Sequence, residues 1–191
     1  MLILFSKLLR REDTSGLTLP EALRDAMRDA LARGAELVYE CGLLRKGVGL
    51  CHGVAGSVYT LLAVSDVLDS PSPELPSDQP EASPVRVTRS NSHRQEHGSF
   101  DVQKMYWFSR AFHLAYLATS YRKLTQRGEM RSPDRPVSLY EGLAGMCCAW
   151  AEVLKRLDEL CGSASSDDSE KQDRQVVGKR GRGMPGYDDL P

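Results

Sequence analysis

Hydrophobic positions along the chain fall into helical periods, separated by stretches that carry few of them. In residues 20–39, Leu23, Ala26/Met27, Ala30/Leu31 and Leu37/Val38 continue from Leu19 at intervals of three and four. Glu21, Arg24, Asp25, Arg28, Asp29 and Arg33 take the other positions. That spacing predicts an amphipathic helix with one packing face, and Pro20 suits its first turn, where no N–H donor is needed. Residues 50–67 read differently. Val54, Val58, Tyr59, Leu61, Leu62, Ala63 and Val64 leave little polar face, so this helix is expected to be buried from most sides. Helical character returns over 104–124, with Trp107, Phe108, Ala111, Phe112, Leu114, Ala115, Leu117 and Ala118 inward and Arg110, His113, Tyr116 and Arg122 toward water or the end of a groove. A last helical segment covers 139–160, and its first half (LYEGLAGMCCAWA) is again almost uncharged. Residues 1–9 (MLILFSKLL) read as a core helix, because Lys7 and the Arg10-Arg11 pair make them a poor membrane span and a poor secretory leader. Residues 12–19 are expected to break it.

Two stretches lack the apolar material that repays ordering. Residues 69–103 alternate Pro71, Pro73, Pro76, Pro80 and Pro84 with Ser, Asp and Glu, then turn basic. Residues 162–191 are Ser/Asp-rich, then basic. Both are expected to be disordered. The resulting order is a first hairpin region at 1–68, the insert at 69–103, a second hairpin region at 104–161 and the tail from 162. Within the insert, His93 and His97 are read as solvated, and Ser90 and Ser92 as serines among arginines with the surroundings of a phosphate acceptor.

The overall charge adds an exclusion. Lys and Arg number 25 against 26 Asp and Glu, a net charge of -1, so no basic excess points to nucleic acid or an anionic membrane. The five cysteines are an odd set without a leader before them, which fits a reducing, cytoplasmic compartment better than a disulfide framework. Any membrane attachment is expected to be at most peripheral, at the plasma membrane.

The chemistry-bearing residues lie in a glycine-rich stretch, GLCHGVAG at 49–56. Cys51 and His52 set a soft thiolate beside an imidazole, a pair suited to Zn²⁺. The same stretch has an internal copy. LCHGVAG at 50–56 aligns with LYEGLAG at 139–145, both Leu-x-x-Gly-aliphatic-Ala-Gly and both opening a poorly charged helix. A repeat of this kind predicts an all-α chain of stacked helical hairpins, amphipathic helices outside, apolar ones inside, glycine turns at the inner N-termini. Packing explains the repeated glycines and alanine. It does not explain Cys51 and His52, which the second copy replaces with Tyr140 and Glu141. The N–H groups of the first inner helix are expected to favour a thiolate at Cys51.

Three runs, YECGLLRKGVGLCHGVAG at 39–56, WFSRAFHLAYLA at 107–118 and RPVSLYEGLAG at 135–145, resemble the LanC-like family, eukaryotic relatives of the bacterial lanthionine cyclases. The likeness leans to the third vertebrate branch and to the C-terminal part of such a protein. It implies a partial α/α toroid with glycine-rich loops at one rim and a zinc ion in its mouth. The metal is held there by a cysteine from an earlier loop and by the later Cys-His pair, which Cys51 and His52 match. It also implies glutathione as the thiol, with Lys46 near its carboxylate, and addition of that thiol to dehydroalanine or dehydrobutyrine in peptides and proteins.

The earlier ligand-bearing loop has no counterpart in the sequence. Cys41, Cys147, Cys148 and Cys161 are substitutes in principle, with Cys41 more readily a buried or inert thiol. The opposing reading is a non-catalytic helical scaffold with a relic zinc site. A carbohydrate-active toroid would need paired carboxylates at inner-helix starts, where Glu141 stands without a partner in the first copy.

Overall fold

A computed structural model of the chain describes residues 1–15, 19–43, 45–69 and 105–162. Among the described residues there are six helices and no strand: α1 (Leu2–Ser15), α2 (Glu21–Cys41), α3 (Val54–Leu68), α4 (Tyr106–Ala118), α5 (Tyr121–Gln126) and α6 (Leu143–Gly162). None of them is long and apolar enough to cross a membrane. The expected disorder of the insert and tail, with Ser90, Ser92, His93 and His97, lies outside the described residues apart from Asp69 and Gly162 at helix ends.

α3 is the hub. It packs against α1, α2, α4 and α6, while α2 also touches α1 and α4 also touches α6. Each back helix thus covers the seam between two successive front helices, which is the stacked-hairpin arc of an α/α toroid. Composition dictates the assignment. In α3, Val54, Ala55, Val58, Tyr59, Leu61, Leu62, Val64 and Val67 are all buried, so it needs neighbours on every side. α2 buries Met27, Leu31 and Ala35 along one stripe and leaves Leu23 and Leu37 exposed. Phe112, expected inward, is also exposed on the outer surface of α4.

Several boundaries depart from the periodicity. Both inner helices begin four residues later than expected, at Val54 and Leu143, because the repeated motif is used as a loop that folds back on itself. The Val54 N–H donates to the Gly47 carbonyl at 3.1 Å, and the Leu143 N–H to the equivalent Pro136 carbonyl at 2.7 Å. A Cβ at Gly56 or at Gly145 would lie 2.3 Å from the carbonyl oxygen of Leu50 or Leu139. The two copies are therefore alike in backbone as well as in sequence. The expected single helix over 104–124 is split. At its end Thr119 and Ser120 turn their N–H groups to carbonyls three residues back, Tyr116 and Leu117, and this tighter winding ends α4 before α5 starts. α1 continues to Ser15 through part of the expected break.

The one acidic or basic side chain of α3 is Asp66. Its carboxylate accepts from Arg10 of α1 at 3.0 Å and from Arg156 of α6 at 2.8 and 3.3 Å. Arg156, itself buried, also donates to Glu152 at 2.9 Å and to the Leu62 carbonyl at 3.1 Å. A buried charge persists only when paired and hydrogen-bonded, so the network sets α1, α3 and α6 side by side. Trp150 adds a bond from its indole N–H to the Ala115 carbonyl at 2.8 Å, joining α6 to α4.

Asp69, at the end of α3, caps α4 across the intervening chain. Its two carboxylate oxygens accept from the N–H groups of Trp107 at 3.1 Å and Phe108 at 2.9 Å. Burial pushes its carboxyl above the ordinary carboxylate value, the two N–H donors pull it back, and nearby Asp66 adds to the rise.

Replacing Arg156 with Met strands Glu152 in the interior, at an expected cost of about 3–5 kcal/mol read from denaturant midpoints. Adding Glu152→Leu should recover part of that loss, and a single-variant cost below about 1 kcal/mol would show that the network is not holding the helices. Asp69→Ala should cost about 0.5–2 kcal/mol through the lost cap. The sign of its pH dependence is fixed by the raised folded-state value. The folded protein takes up this proton at higher pH than the unfolded chain, so the stability gap between wild type and variant should widen as pH falls through the folded value. It should level off below the unfolded one.

Candidate metal centre

Residues 45–53 cross the rim as a loop between α2 and α3, and their path is set by close backbone contact with the second copy of the motif. Gly47 takes φ 127°, a left-handed conformation that glycine adopts without strain. A Cβ at Gly49 would sit 2.3 Å from the Glu141 carbonyl carbon and 2.4 Å from the Tyr140 oxygen, so only glycine fits between the loops. Two backbone bonds lock them: Cys51 N–H to the Tyr140 carbonyl at 2.8 Å, and Arg131 N–H to the Arg45 carbonyl at 2.7 Å. Val48 and Leu50 point inward and are buried, leaving Cys51 and His52 exposed at the crest.

The sulfur of Cys51 and Nε2 of His52 are 3.4 Å apart. A tetrahedral zinc with Zn–S about 2.3 Å and Zn–N about 2.0–2.1 Å separates sulfur and nitrogen by roughly 3.5 Å. The pair therefore fits two corners of such a site as it stands. Its donor set, one thiolate and one imidazole, is that of structural and catalytic zinc alike.

The remaining candidates are elsewhere. Among the described residues no group of three His, Cys, Asp or Glu is placed to hold a metal. Cys41, Cys147 and Cys161 are exposed and Cys148 is half-buried, and none of them joins the pair. The exposure of Cys41, expected to be buried or inert, follows from its place at the last residue of α2. The first-turn N–H groups of α3 do not face Cys51 either: Val54, Ala55 and Gly56 donate to Gly47, Val48 and Gly53. Lys46 is exposed on the same loop, and Glu141 on the facing one.

His113 and Arg110 belong to a different contact. The Tyr39 hydroxyl and His113 Nδ1 are hydrogen-bonded at 2.7 Å. The Arg110 guanidinium lies over the rings of Tyr39, Tyr106 and Trp107 at 4.4, 4.2 and 5.3 Å while pairing with Glu36. This is a cation–π clamp between α2 and α4. Neither residue is a ligand. The periodicity of α4 had left both open to water, and the partner face of α2 was the missing information. A pocket of about 290 Å³ opens beside Gly47, between Tyr121 and Thr125 of α5 and Met130, Arg131 and Pro133 of the following loop. It does not include Cys51 or His52. Periodicity carries no sign of it, because the helical spacing of α4 runs on through α5.

Gly49→Ala should force the two loops apart, lowering thermal stability and, at matched fold content, weakening any metal held by Cys51 and His52. A fully stable Gly49→Ala variant would show that the loops are not in backbone contact.

No protein-family model matches the chain, and no solved structure matches it. A curated protein does: the chain is 30% identical over 133 residues to a Danio rerio protein named Glutathione S-transferase LANCL1, an alignment that covers 70% of this chain. The chain spans 23% of that relative's length. The identity, the all-helical arc and the paired glycine loops together support a LanC-like relationship.

Proposed function

We propose that this chain carries the later Cys-His part of a LanC-like zinc centre, which activates a thiol for addition to dehydroamino acids. The supporting observation is the bite of Cys51 and His52, already at zinc-ligand separation on a rigid, exposed loop. Within the family, the likeness of the runs at 39–56, 107–118 and 135–145 leans to the third vertebrate branch and to the C-terminal part, which is the assignment proposed. The regions before and after the insert would then act as successive hairpins of one ring.

Cys51 and His52 would hold the zinc, with the Tyr140 carbonyl orienting the Cys51 backbone and Glu141 closing the loop behind it. When bound, the metal supplies Lewis acidity that leaves a coordinated thiol deprotonated at neutral pH. Glutathione is the thiol favoured by the relative's name, and Lys46, exposed on the same loop, would pair with one of its carboxylates. Its sulfur bonds to the β-carbon of dehydroalanine or dehydrobutyrine while the α-carbon takes up a proton, giving a thioether. A reducing cytoplasm, with at most peripheral contact at the plasma membrane, keeps the cysteines available for this chemistry.

The second reading is a helical scaffold whose zinc site is a relic. It is favoured by the donor count, since zinc sites use at least three protein ligands and the described residues bring together two.

Zinc titration against a competing chelator tests the first reading. Cys51→Ala and His52→Ala should each weaken zinc by at least about 100-fold, the upper end of what losing a supporting hydrogen bond costs a metal site. Lys46→Ala should leave zinc binding intact and raise the glutathione concentration needed to add mass to a dehydroalanine peptide. Zinc binding unchanged in Cys51→Ala would overturn the assignment, and zinc binding without any thioether product would favour the scaffold.

A further inference from the structure

Ser132 differs from Thr125 and Ser138, the nearest serine or threonine before and after it in the chain. The Thr125 hydroxyl donates to the Tyr121 carbonyl, and the Ser138 hydroxyl accepts from the Glu141 N–H. Ser132 is exposed and lies outside the helices, and among the described residues no hydrogen bond holds its hydroxyl. Pro133 follows it, which biases the serine backbone to the extended region, and Arg135 stands two residues beyond the proline. A free hydroxyl on extended backbone, a next residue without an N–H and a cation beyond it make the form in which proline-directed serine/threonine kinases take a substrate.

The surroundings decide where a phosphate on Ser132 would lie. Ser132 lines the pocket beside Gly47 together with Arg122 and Arg131. A Cβ at Gly47 would be 3.4 Å from the Arg131 carbonyl oxygen and 3.5 Å from Pro133 Cδ, and the Arg131 N–H donates to the Arg45 carbonyl at 2.7 Å. The serine is thus held alongside residues 45–47, the part of the rim that carries Lys46. Arg122, Arg131 and Lys46 outweigh Asp134 and Glu141 around it, an excess that suits a dianion.

We propose that Ser132 is a phosphorylation site whose phosphate, drawn to Arg122, Arg131 and Lys46, occupies the pocket beside Gly47 and weakens glutathione binding. The γ-phosphoryl group of MgATP passes to Ser132 Oγ. The Oγ–P bond forms, the bond from the γ-phosphorus to the bridging oxygen breaks, ADP leaves with the electron pair, and the hydroxyl proton goes to the kinase's catalytic aspartate. The product carries about −1.5 to −2 charge at neutral pH, which neutralises Lys46 and repels an incoming carboxylate. That consequence rests on the role given to Lys46 in the proposed function, whereas the phosphoacceptor assignment stands on the loop itself.

The full chain, incubated with MgATP and a proline-directed serine/threonine kinase, should take up phosphate at Ser132, located by peptide mass mapping and lost in Ser132→Ala. Ser83-Pro84-Val85-Arg86 has the same pattern and is the internal reference. Phosphate at Ser83 without phosphate at Ser132 would overturn the assignment. With phosphoserine built in at position 132 during translation, a phosphorus-31 titration should place its second ionisation below the ordinary value of about 6. Arg131→Met or Lys46→Met should return it toward that value, and an ordinary ionisation in the otherwise unchanged chain would overturn the pairing. The same protein should need about 2–5-fold more glutathione, the worth of one exposed ion pair, to form thioether on a dehydroalanine peptide, with zinc affinity unchanged. An unchanged glutathione requirement would overturn the regulatory role. An unmodified chain that binds zinc but forms no thioether would overturn the proposed function and the regulatory role with it, while mapping and titration would still decide whether Ser132 takes phosphate and which cations hold it.

Discussion

The structure depends on two glycine-rich loops lying in backbone contact. Without a side chain at Gly49, the first loop reaches the Tyr140–Glu141 peptide closely enough for the Cys51 N–H to donate to the Tyr140 carbonyl. That contact does two things at once. It joins the starts of α3 and α6, and it turns Val48 and Leu50 into the core so that Cys51 and His52 are left on the outside. A substituent at Gly49 would separate the helices and displace Cys51 and His52 together.

The other end of the same helices is held by charge. Asp66, between Arg10 and Arg156, ties α1, α3 and α6 where hydrocarbon alone would let them slide, since apolar packing has no direction and paired ions have a fixed geometry. The arc is thus pinned at the loop end by backbone hydrogen bonds and at the far end by a buried ion network. Asp69 extends the second pin by capping α4. Between them α3 contributes the apolar surface that makes the hairpins cohere.

The Cys51–His52 pair owes its bite to local sequence and its exposure to the neighbouring loop. Adjacent residues in a turn can bring their side chains to one side, and the flanking glycines permit the turn. Two donors at this separation would define a direction for a metal without completing its shell. The same geometry would therefore suit a catalytic centre or a relic, and zinc affinity together with thioether formation separates the two readings.

Much of this was legible in the residues. The uncharged run around Leu61 and Leu62 announced a helix buried on all sides, because a helix with no polar face has nowhere else to go. The repeated Leu-x-x-Gly-aliphatic-Ala-Gly announced two equivalent loops. Cys51 and His52 stood out because packing did not require them. The helix starts were misplaced, since Leu50 and Leu139 have the same hydrophobicity in a folded-back loop as in a first turn. The break after Ala118 was missed because helical periodicity runs through it. The roles of Arg110, His113, Asp66, Asp69 and Arg156 were hidden for a common reason: each is set by a partner distant in sequence, and a polar residue on an apolar helix gives no indication of which helix will meet it. By itself the chain order determined which segments are helical and which are central, and it set a cysteine beside a histidine in a glycine-rich loop. Tertiary structure alone decided which charges neutralise one another, that the two loops touch, and that Cys51 and His52 are left exposed, because these outcomes are fixed by distances between segments and not by the spacing within any one of them.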